Sequence, residues 1–327
     1  MEFERYYREY IPWFGRELRQ RVRTSSPESL YAPVRYILEH SGKQLRPAVL
    51  SAIAYAFGGI SRESSFPAAS CVEMIHNFTL VHDDIMDADI LRHGKETVHE
   101  KWDTNKAILS GDGLFVTALS ELNAFRNDPE LYSRLLPLTL NAVMRVCEGQ
   151  AEDMEFEDRT EVSLDEYVNM VTHKTAYLLA VSARLGALIG GASEKEEKIT
   201  EKLMLDLGVV FQIQDDLLEL TSDTANMGKT LGSDLVKQKK TYPYLFAKRE
   251  LSEDQWREFR GNIREENIIK YGISPARKLL EENFIFDKIY KIIKLYNDNI
   301  QEMIQDLPLR TQKMFRTMVS FIMHREN

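Results

Sequence analysis

The sequence predicts an all-α protein. Three observations carry this: apolar residues recur at three- and four-residue steps, alternating runs bounded by turn residues are scarce, and helix-start signals recur. The periodic segments are Leu30 to Leu38, Ala68 to Ile90, Leu135 to Val146, Leu203 to Leu220 and Tyr290 to Ile304. In each, the spacing gathers apolar side chains on one helical face. Ser163 with Glu166, Ser193 with Glu196 and Ser252 with Gln255 fit capping boxes, in which two orphan backbone N–H groups are satisfied reciprocally. Pro47, Pro67 and Pro275 stand where a first helical turn accepts proline. Usual helix lengths give roughly ten to thirteen helices. The long apolar helices would form a bundle core and the shorter amphipathic ones would surround it, which excludes a parallel-sheet enzyme.

Composition narrows the possible functions. Length alone weakly suggests two domains in 327 residues, but no Pro-, Gly- or Ser-rich linker divides the chain, so residues 1–327 read as one domain. A net charge of −9 argues against nucleic acid or an anionic membrane as the main partner. Any phosphate site is therefore a local basic patch. Cys71 and Cys147 are too few for a disulfide framework or a Cys-ligated zinc site, and they suit a reducing cytoplasm. The first residues lack a basic-then-apolar leader, and Arg184 and several glycines interrupt the most apolar stretch, Leu178 to Ala192. A soluble protein is expected.

Two acid clusters share one pattern: Asp83-Asp84-Ile85-Met86-Asp87 and Asp215-Asp216-Leu217-Leu218-Glu219. On a helix, Asp83 pairs with Asp87 and Asp215 with Glu219, because residues four apart share a face. Like charges at that spacing are unfavourable, and apolar neighbours (Phe78 to Val81, Val209 to Phe211) make unpaired charge more so. A cation between the carboxylates resolves the conflict, whereas two solvated acidic faces would be the plain alternative. Mg²⁺ takes one or two carboxylates, several waters and substrate phosphate oxygens.

Cations follow both clusters. Gly42-Lys43-Gln44-Leu45-Arg46-Pro47 is a loop entering a helix, with two cations beside freed backbone N–H groups, a fit for a diphosphate. Arg92-His93-Gly94-Lys95 follows the first acid cluster, and Gly228-Lys229 and Lys237 to Lys240 follow the second. Arg forks and Lys point charges both pair with phosphate oxygens, although a single loop lysine is usually only a solvated charge.

Taken together, these residues resemble the trans-isoprenyl diphosphate synthases, or polyprenyl synthetases, from Gly42 to about Pro243. The order of motifs matches: Gly42-Lys43-x-x-Arg46-Pro47, Glu73-x-x-His76, Asp83 to Asp87, Arg92, Gly111-Asp112, Glu148-Gly149-Gln150, Lys174-Thr175, Phe211-Gln212-x-x-Asp215-Asp216, Gly228-Lys229 and Lys239-x-Thr241-Tyr242-Pro243. The resemblance implies the isoprenoid synthase helical bundle around a deep central cavity, usually as a homodimer. It implies Mg²⁺, about three ions with substrate bound, held by Asp83, Asp84, Asp87, Asp215, Asp216 and Glu219. Arg92, Lys174, Lys229 and Lys239 would complete the cage of an allylic diphosphate. Lys43, Arg46, His76 and His93 would hold isopentenyl diphosphate. The implied reaction is head-to-tail chain elongation. The backbone carbonyl of Lys174 or Thr175 and the amide oxygen of Gln212 would face the allylic cation.

The chain departs from the family pattern at three points. Gln44 stands where an arginine is common, His93 where a second arginine follows the first acid motif, and Glu219 where an aspartate closes the second. His93 implies weaker isopentenyl diphosphate binding, more so at high pH. Glu148 to Asp153 add acids of a structural or supporting kind; His82 carries no assignment; His324-Arg325 are terminal charges within possible reach of the isopentenyl site.

Product length is expected to depend on Phe78, a little more than one turn before Asp83, with Thr79 beside it leaving more room than a second aromatic. Phe78 as plain core packing is the alternative. With the resemblance, geranylgeranyl diphosphate is the favoured product and farnesyl diphosphate the next. A terpene cyclase would not need Lys43, Arg46 and His76, and an inactive partner subunit would typically have lost acids that this chain keeps.

Overall fold

The structure, a computed structural model, describes residues 2–22, 24–221 and 239–324, and these are helical almost throughout. In chain order the first helices are α1 (Phe3–Gln20), α2 (Glu28–Glu39), α3 (Leu45–Gly58) and α4 (Arg62–Met86). A two-residue hairpin, β1 (Leu91–Arg92) with β2 (Lys95–Glu96), leads into α5 (Val98–Lys101) and α6 (Thr104–Glu121). Then come α7 (Pro129–Asp158), α8 (Leu164–Val171), a π-helical turn (Thr172–Ala176), α9 (Tyr177–Ile189) and α10 (Glu194–Thr221). Six further helices lie between Tyr242 and Met323. Short ones such as α5 and Glu265–Tyr271 add to the long helices that the periodicity predicts.

Two compact units result. The first comprises Met1–Val146, Tyr177–Met204 and Met303–His324; the second comprises Cys147–Ala176 and Leu205–Glu302. The chain passes between them within α7, from the π turn into α9, within α10 and within Ile285–Gln305, so no linker marks the passage.

In the first unit α3 is apolar nearly all round, with Ala48, Val49, Leu50, Ala52, Ile53 and Ala54 fully buried, as expected of a central bundle helix. It packs against α4 and α9. Hydroxyls tie α1, α3 and α4 together, Tyr6 Oη to Ser51 Oγ at 2.7 Å and Ser51 Oγ to Ser65 Oγ at 2.7 Å. A buried ion-pair network adds a second tie: Arg134 donates to both oxygens of Glu197 at 2.8 and 2.7 Å, and Arg184 donates to Glu201 at 2.8 Å. In the second unit Tyr244, Trp256 and Phe259 form an aromatic cluster with centroids 5.2 to 6.3 Å apart.

All three capping boxes form, at Ser163, Ser193 and Ser252. Two boundary expectations change. Pro67 lies inside α4 and not in its first turn, because Ser61 accepts from the Ser64 N–H and starts the helix at Arg62. α4 ends at Met86, short of Ile90. Ala88 turns left-handed at φ 52°, and Asp89 N–H reaches back to the Asp84 carbonyl at 3.0 Å with Ala88 N–H on that of Ile85 at 3.3 Å. This is a Schellman stop, recognised poorly from sequence because alanine stands where glycine is usual.

Candidate active site

The Schellman stop sets the geometry of the first acid motif. Asp83 and Asp87 still share the last helical turn, since Asp87 N–H donates to the Asp83 carbonyl at 2.8 Å, and both side chains are half-buried. Asp84 points elsewhere. It is 4% exposed and accepts from Arg92 Nε at 2.5 Å, while Arg92 Nη2 lies 3.8 Å from Asp89. Burial raises the Asp84 pKa, opposed by the Arg92 charge. The hairpin turn, His93 at φ 51° and Gly94 at φ 73°, folds Arg92 back onto the helix that precedes it.

The same hairpin brings together the first two motifs. A Cβ at Gly42 would sit 2.8 Å from His93 Cε1, so only glycine lets the basic loop and the His93 ring lie this close. Arg46 Nη1 lies 3.1 Å from His76 Nε2. A guanidinium only donates, so that nitrogen accepts and His76 is neutral with its proton on Nδ1. Burial lowers the His76 pKa well below its usual value, and Arg46, Arg92 and His93 lower it further. His93 is lowered too, by burial first and then by Arg92 and Lys43, against the opposing His40 backbone hydrogen bond. Lys43 and Arg46 thus carry the fixed positive charge. The Tyr7 hydroxyl of α1 donates to the Lys43 carbonyl, and Gln44, left-handed at φ 48° and buried, turns its amide toward Gly15 of α1. A cleft with about 440 Å³ of empty space, open to solvent, is lined by His40, Gly42, Asn77, Asp84, Arg92 and His93 among others.

In the second unit, three donors converge on Asp216. The Tyr167 hydroxyl donates at 2.5 Å, Gln212 Nε2 at 2.9 Å and the Tyr242 backbone N–H at 2.9 Å. The Gln212 amide is oriented by this bond, and its Oε1 receives Thr175 Oγ1 at 3.5 Å. Asp215 is exposed and Glu219 half-buried. Lys174 and Thr175 lie in the π turn, and Lys174 Nζ pairs with Asp153 at 2.5 Å, which gives one acid of the Glu148 to Asp153 segment a partner. A Cβ at Gly149 would meet Lys174 N at 2.3 Å. Lys239 is half-buried at the approach to Tyr242–Glu250; Lys229 lies outside the described residues, as does Arg325. His324 is exposed and bonds the Ser320 carbonyl at 3.0 Å.

Phe78 is half-buried and faces α6, its centroid 5.2 Å from Phe115 and 4.9 Å from the His82 ring. Thr79 is 9% exposed and its hydroxyl donates to the His76 carbonyl at 2.8 Å. Sequence reasoning missed Phe115, Tyr167 and the role of Asp153. Nothing local marks Phe115 or Tyr167, whereas Gly149 is a readable sign of close backbone approach near Asp153.

Among the described residues no group of three or more His, Cys, Asp and Glu could hold a metal by itself. The donor set nevertheless suits Mg²⁺, which needs only one or two carboxylates when waters and substrate oxygens fill its octahedron. The half-buried pair Asp83 and Asp87 supplies them.

Comparison with known proteins identifies the family. The polyprenyl synthetase family description matches residues 27–272. The geranylgeranyl diphosphate synthase of Methanosarcina mazei is 43% identical over 215 residues, 66% of this chain and 66% of that protein. That of Saccharolobus solfataricus is 35% identical over 295 residues, 89% of this chain and 88% of that protein. The crystal structure of geranylgeranyl pyrophosphate synthetase from Pyrococcus horikoshii superposes with a TM-score of 0.89 at 32% identity, covering 99% of this chain and 98% of that one. The chain therefore belongs to the polyprenyl synthetase family and is a prenyltransferase.

Proposed function

We propose that the protein condenses isopentenyl diphosphate with an allylic prenyl diphosphate, head to tail, and that geranylgeranyl diphosphate is its main product. The observation that carries this reading is the Arg46, His76 and His93 cluster on Gly42, a second anion site beside the acid motif. A cyclase has no use for it.

In this reading Lys43 and Arg46 bind the isopentenyl diphosphate, His76 holds the Arg46 guanidinium in place, and neutral His93 offers one hydrogen bond. Asp83, Asp87, Asp215 and Glu219 are the residues that would hold Mg²⁺. Bound there, the metal supplies positive charge against the leaving diphosphate. Asp84 and Asp216 act one step back, Asp84 on Arg92 and Asp216 on Gln212. Arg92, Lys174, Lys229 and Lys239 hold the allylic diphosphate. Its C1–O bond breaks with both electrons leaving on the diphosphate, and the isopentenyl C4 double bond attacks C1. A proton then leaves C2 of the isopentenyl unit for the released diphosphate. The Gln212 amide oxygen and the carbonyls of Lys174 and Thr175 stabilise the cation by their dipoles. In the π turn, which replaces the regular ladder, those carbonyls can be aimed away from the helix.

Phe78 and Phe115 close the end of the tail channel, which accounts for a short product; geranylfarnesyl diphosphate synthases also stand among the relatives. Leu109 and Val116 on α6, 60% and 63% exposed, support a homodimer through that face. No described helix is long and apolar enough to cross a membrane, and a chain with only two cysteines, Cys71 buried and Cys147 exposed, suits the cytoplasm. Incubating the protein with Mg²⁺, isopentenyl diphosphate and each allylic primer in turn tests the reading. Products one or more five-carbon units longer than the primer are expected, ending at twenty carbons, and the Phe78→Ala variant should give longer ones. Diphosphate release without isopentenyl diphosphate would indicate a cyclase, and none with any primer a partner subunit.

A further inference from the structure

Glu73 is a buried acid that the proposed reaction does not use. It lies in α4 one turn before His76 and is 1% exposed, between Val72 and Met74, themselves 1% and 0% exposed. Asn77 Nδ2 donates to its Oε1 at 3.1 Å and to its backbone carbonyl at 2.7 Å. Oε2 has no hydrogen-bond partner. An ionised carboxylate buried with one oxygen unsatisfied is unfavourable, and such a group relieves the strain by taking a proton.

The charged and titratable groups facing it come from three helices. Arg46 faces it from α3 and favours its charge; Tyr10 faces it from α1; Asn77 and His76 are its neighbours along α4. Tyr10 is neutral, its pKa raised well above the usual value, chiefly by burial. His76 is neutral for the same reason, burial lowering its pKa, and His93 and Arg92 lie beyond it. Burial pushes Glu73 up to about 7, with Arg46 and Asn77 opposing, so of these groups it is the one poised to change charge near neutrality.

We propose that Glu73 is a positioning residue of the isopentenyl diphosphate site, taking a proton from solvent when the diphosphate binds on Arg46 and so leaving the full guanidinium charge to the anion. The inference rests on the reading that Arg46 holds that diphosphate. While ionised, Glu73 offsets the Arg46 charge from behind. An arriving polyanion makes the buried carboxylate still less favourable, raising its proton affinity, and linkage then requires proton uptake on binding. Affinity is highest below the free-state pKa and falls as pH rises through it toward the bound-state value. Glutamine mimics the protonated acid.

Calorimetric titration of isopentenyl diphosphate into the full-length protein, without allylic substrate, tests this in two buffers of different ionisation enthalpy at about pH 6 and pH 8.5. The wild type should take up more protons than Glu73→Gln. The variant should match it at low pH and bind more tightly at high pH, by about tenfold for each unit of pKa shift. Equal proton uptake and equal pH dependence in the two proteins would overturn the proposal. Arg46→Ala separates the two readings: unchanged isopentenyl diphosphate binding in that variant defeats the site assignment itself, whereas lost binding there leaves Glu73 to be judged alone. Should Glu73→Gln fail to fold, infrared difference spectra of wild-type protein carrying ¹³C-carboxyl glutamate serve instead. An isotope-shifted acid carbonyl band must grow on binding, and its absence refutes the idea.

Discussion

Neighbouring acids in each motif are treated differently by their surroundings. Asp84 is buried on Arg92 while Asp83 and Asp87 stay half-exposed; Asp216 collects donors from Tyr167, Gln212 and Tyr242 while Asp215 faces solvent. The pattern of two adjacent acids thus divides in each motif, one acid left accessible and one holding a basic or amide group. If Asp216 orients Gln212, then Tyr167→Phe, which removes one charge-assisted hydrogen bond, should lower kcat by about tenfold, from a bond worth about 1.5–3 kcal/mol. The KM for isopentenyl diphosphate should stay unchanged, and steady-state kinetics with both substrates varied would check this. Glu73 also makes a stability prediction. Its folded-state pKa is raised, so the folded protein binds more protons than the unfolded chain between the ordinary glutamate value and about 7. Its contribution is therefore most favourable at low pH and is lost as pH rises through that window. Thermal unfolding at about pH 8 should show Glu73→Gln at least as stable as the wild type, while below about pH 5 the two converge.

At the scale of elements, the site depends on places where regular helix stops. α4 ends two residues before the left-handed Ala88, which holds Asp83 and Asp87 on one last turn and releases the chain into the hairpin that returns Arg92. The π turn Thr172–Ala176 is the corresponding break in the second unit. It packs so closely on Gly149 that a Cβ there would lie 2.3 Å from Lys174 N. Gly149→Ala should therefore destabilise the protein by about 1–3 kcal/mol, the usual range for overpacking, and shift the Lys174 and Thr175 backbone. Chemical denaturation should show the loss and activity should fall with it; an unchanged midpoint and unchanged kcat would mean that the turn tolerates displacement. The capping boxes at Ser163, Ser193 and Ser252 were legible because each uses only a four-residue local pattern. The stop at Ala88 and the π turn were not, because alanine has no local preference for a left-handed stop and a π turn is stabilised by what packs on it.

At the scale of the whole molecule, the homodimer proposal rests on apolar side chains that α6 leaves exposed. Leu109 and Val116 lie seven residues apart, on one face of the helix, and remain 60% and 63% exposed. If a second copy covers them, Leu109→Glu combined with Val116→Glu should convert a dimer to a monomer in light scattering. A wild-type protein already monomeric at micromolar concentration would refute the dimer.

The sequence by itself determined the helical class, the caps, the two acid motifs and the basic loop, because these follow from periodicity, four-residue spacing and local hydrogen bonding. It also carried the order of motifs that marks the family. Only the tertiary structure decided which acid of each pair turns inward, that His76 is a neutral acceptor for Arg46, that Phe78 meets Phe115, and that Glu73 is buried with one oxygen unsatisfied. Those outcomes depend on burial and on partners distant in sequence, such as Arg46 for His76 and Tyr167 for Asp216, and no local pattern encodes the desolvation that sets a buried group's charge.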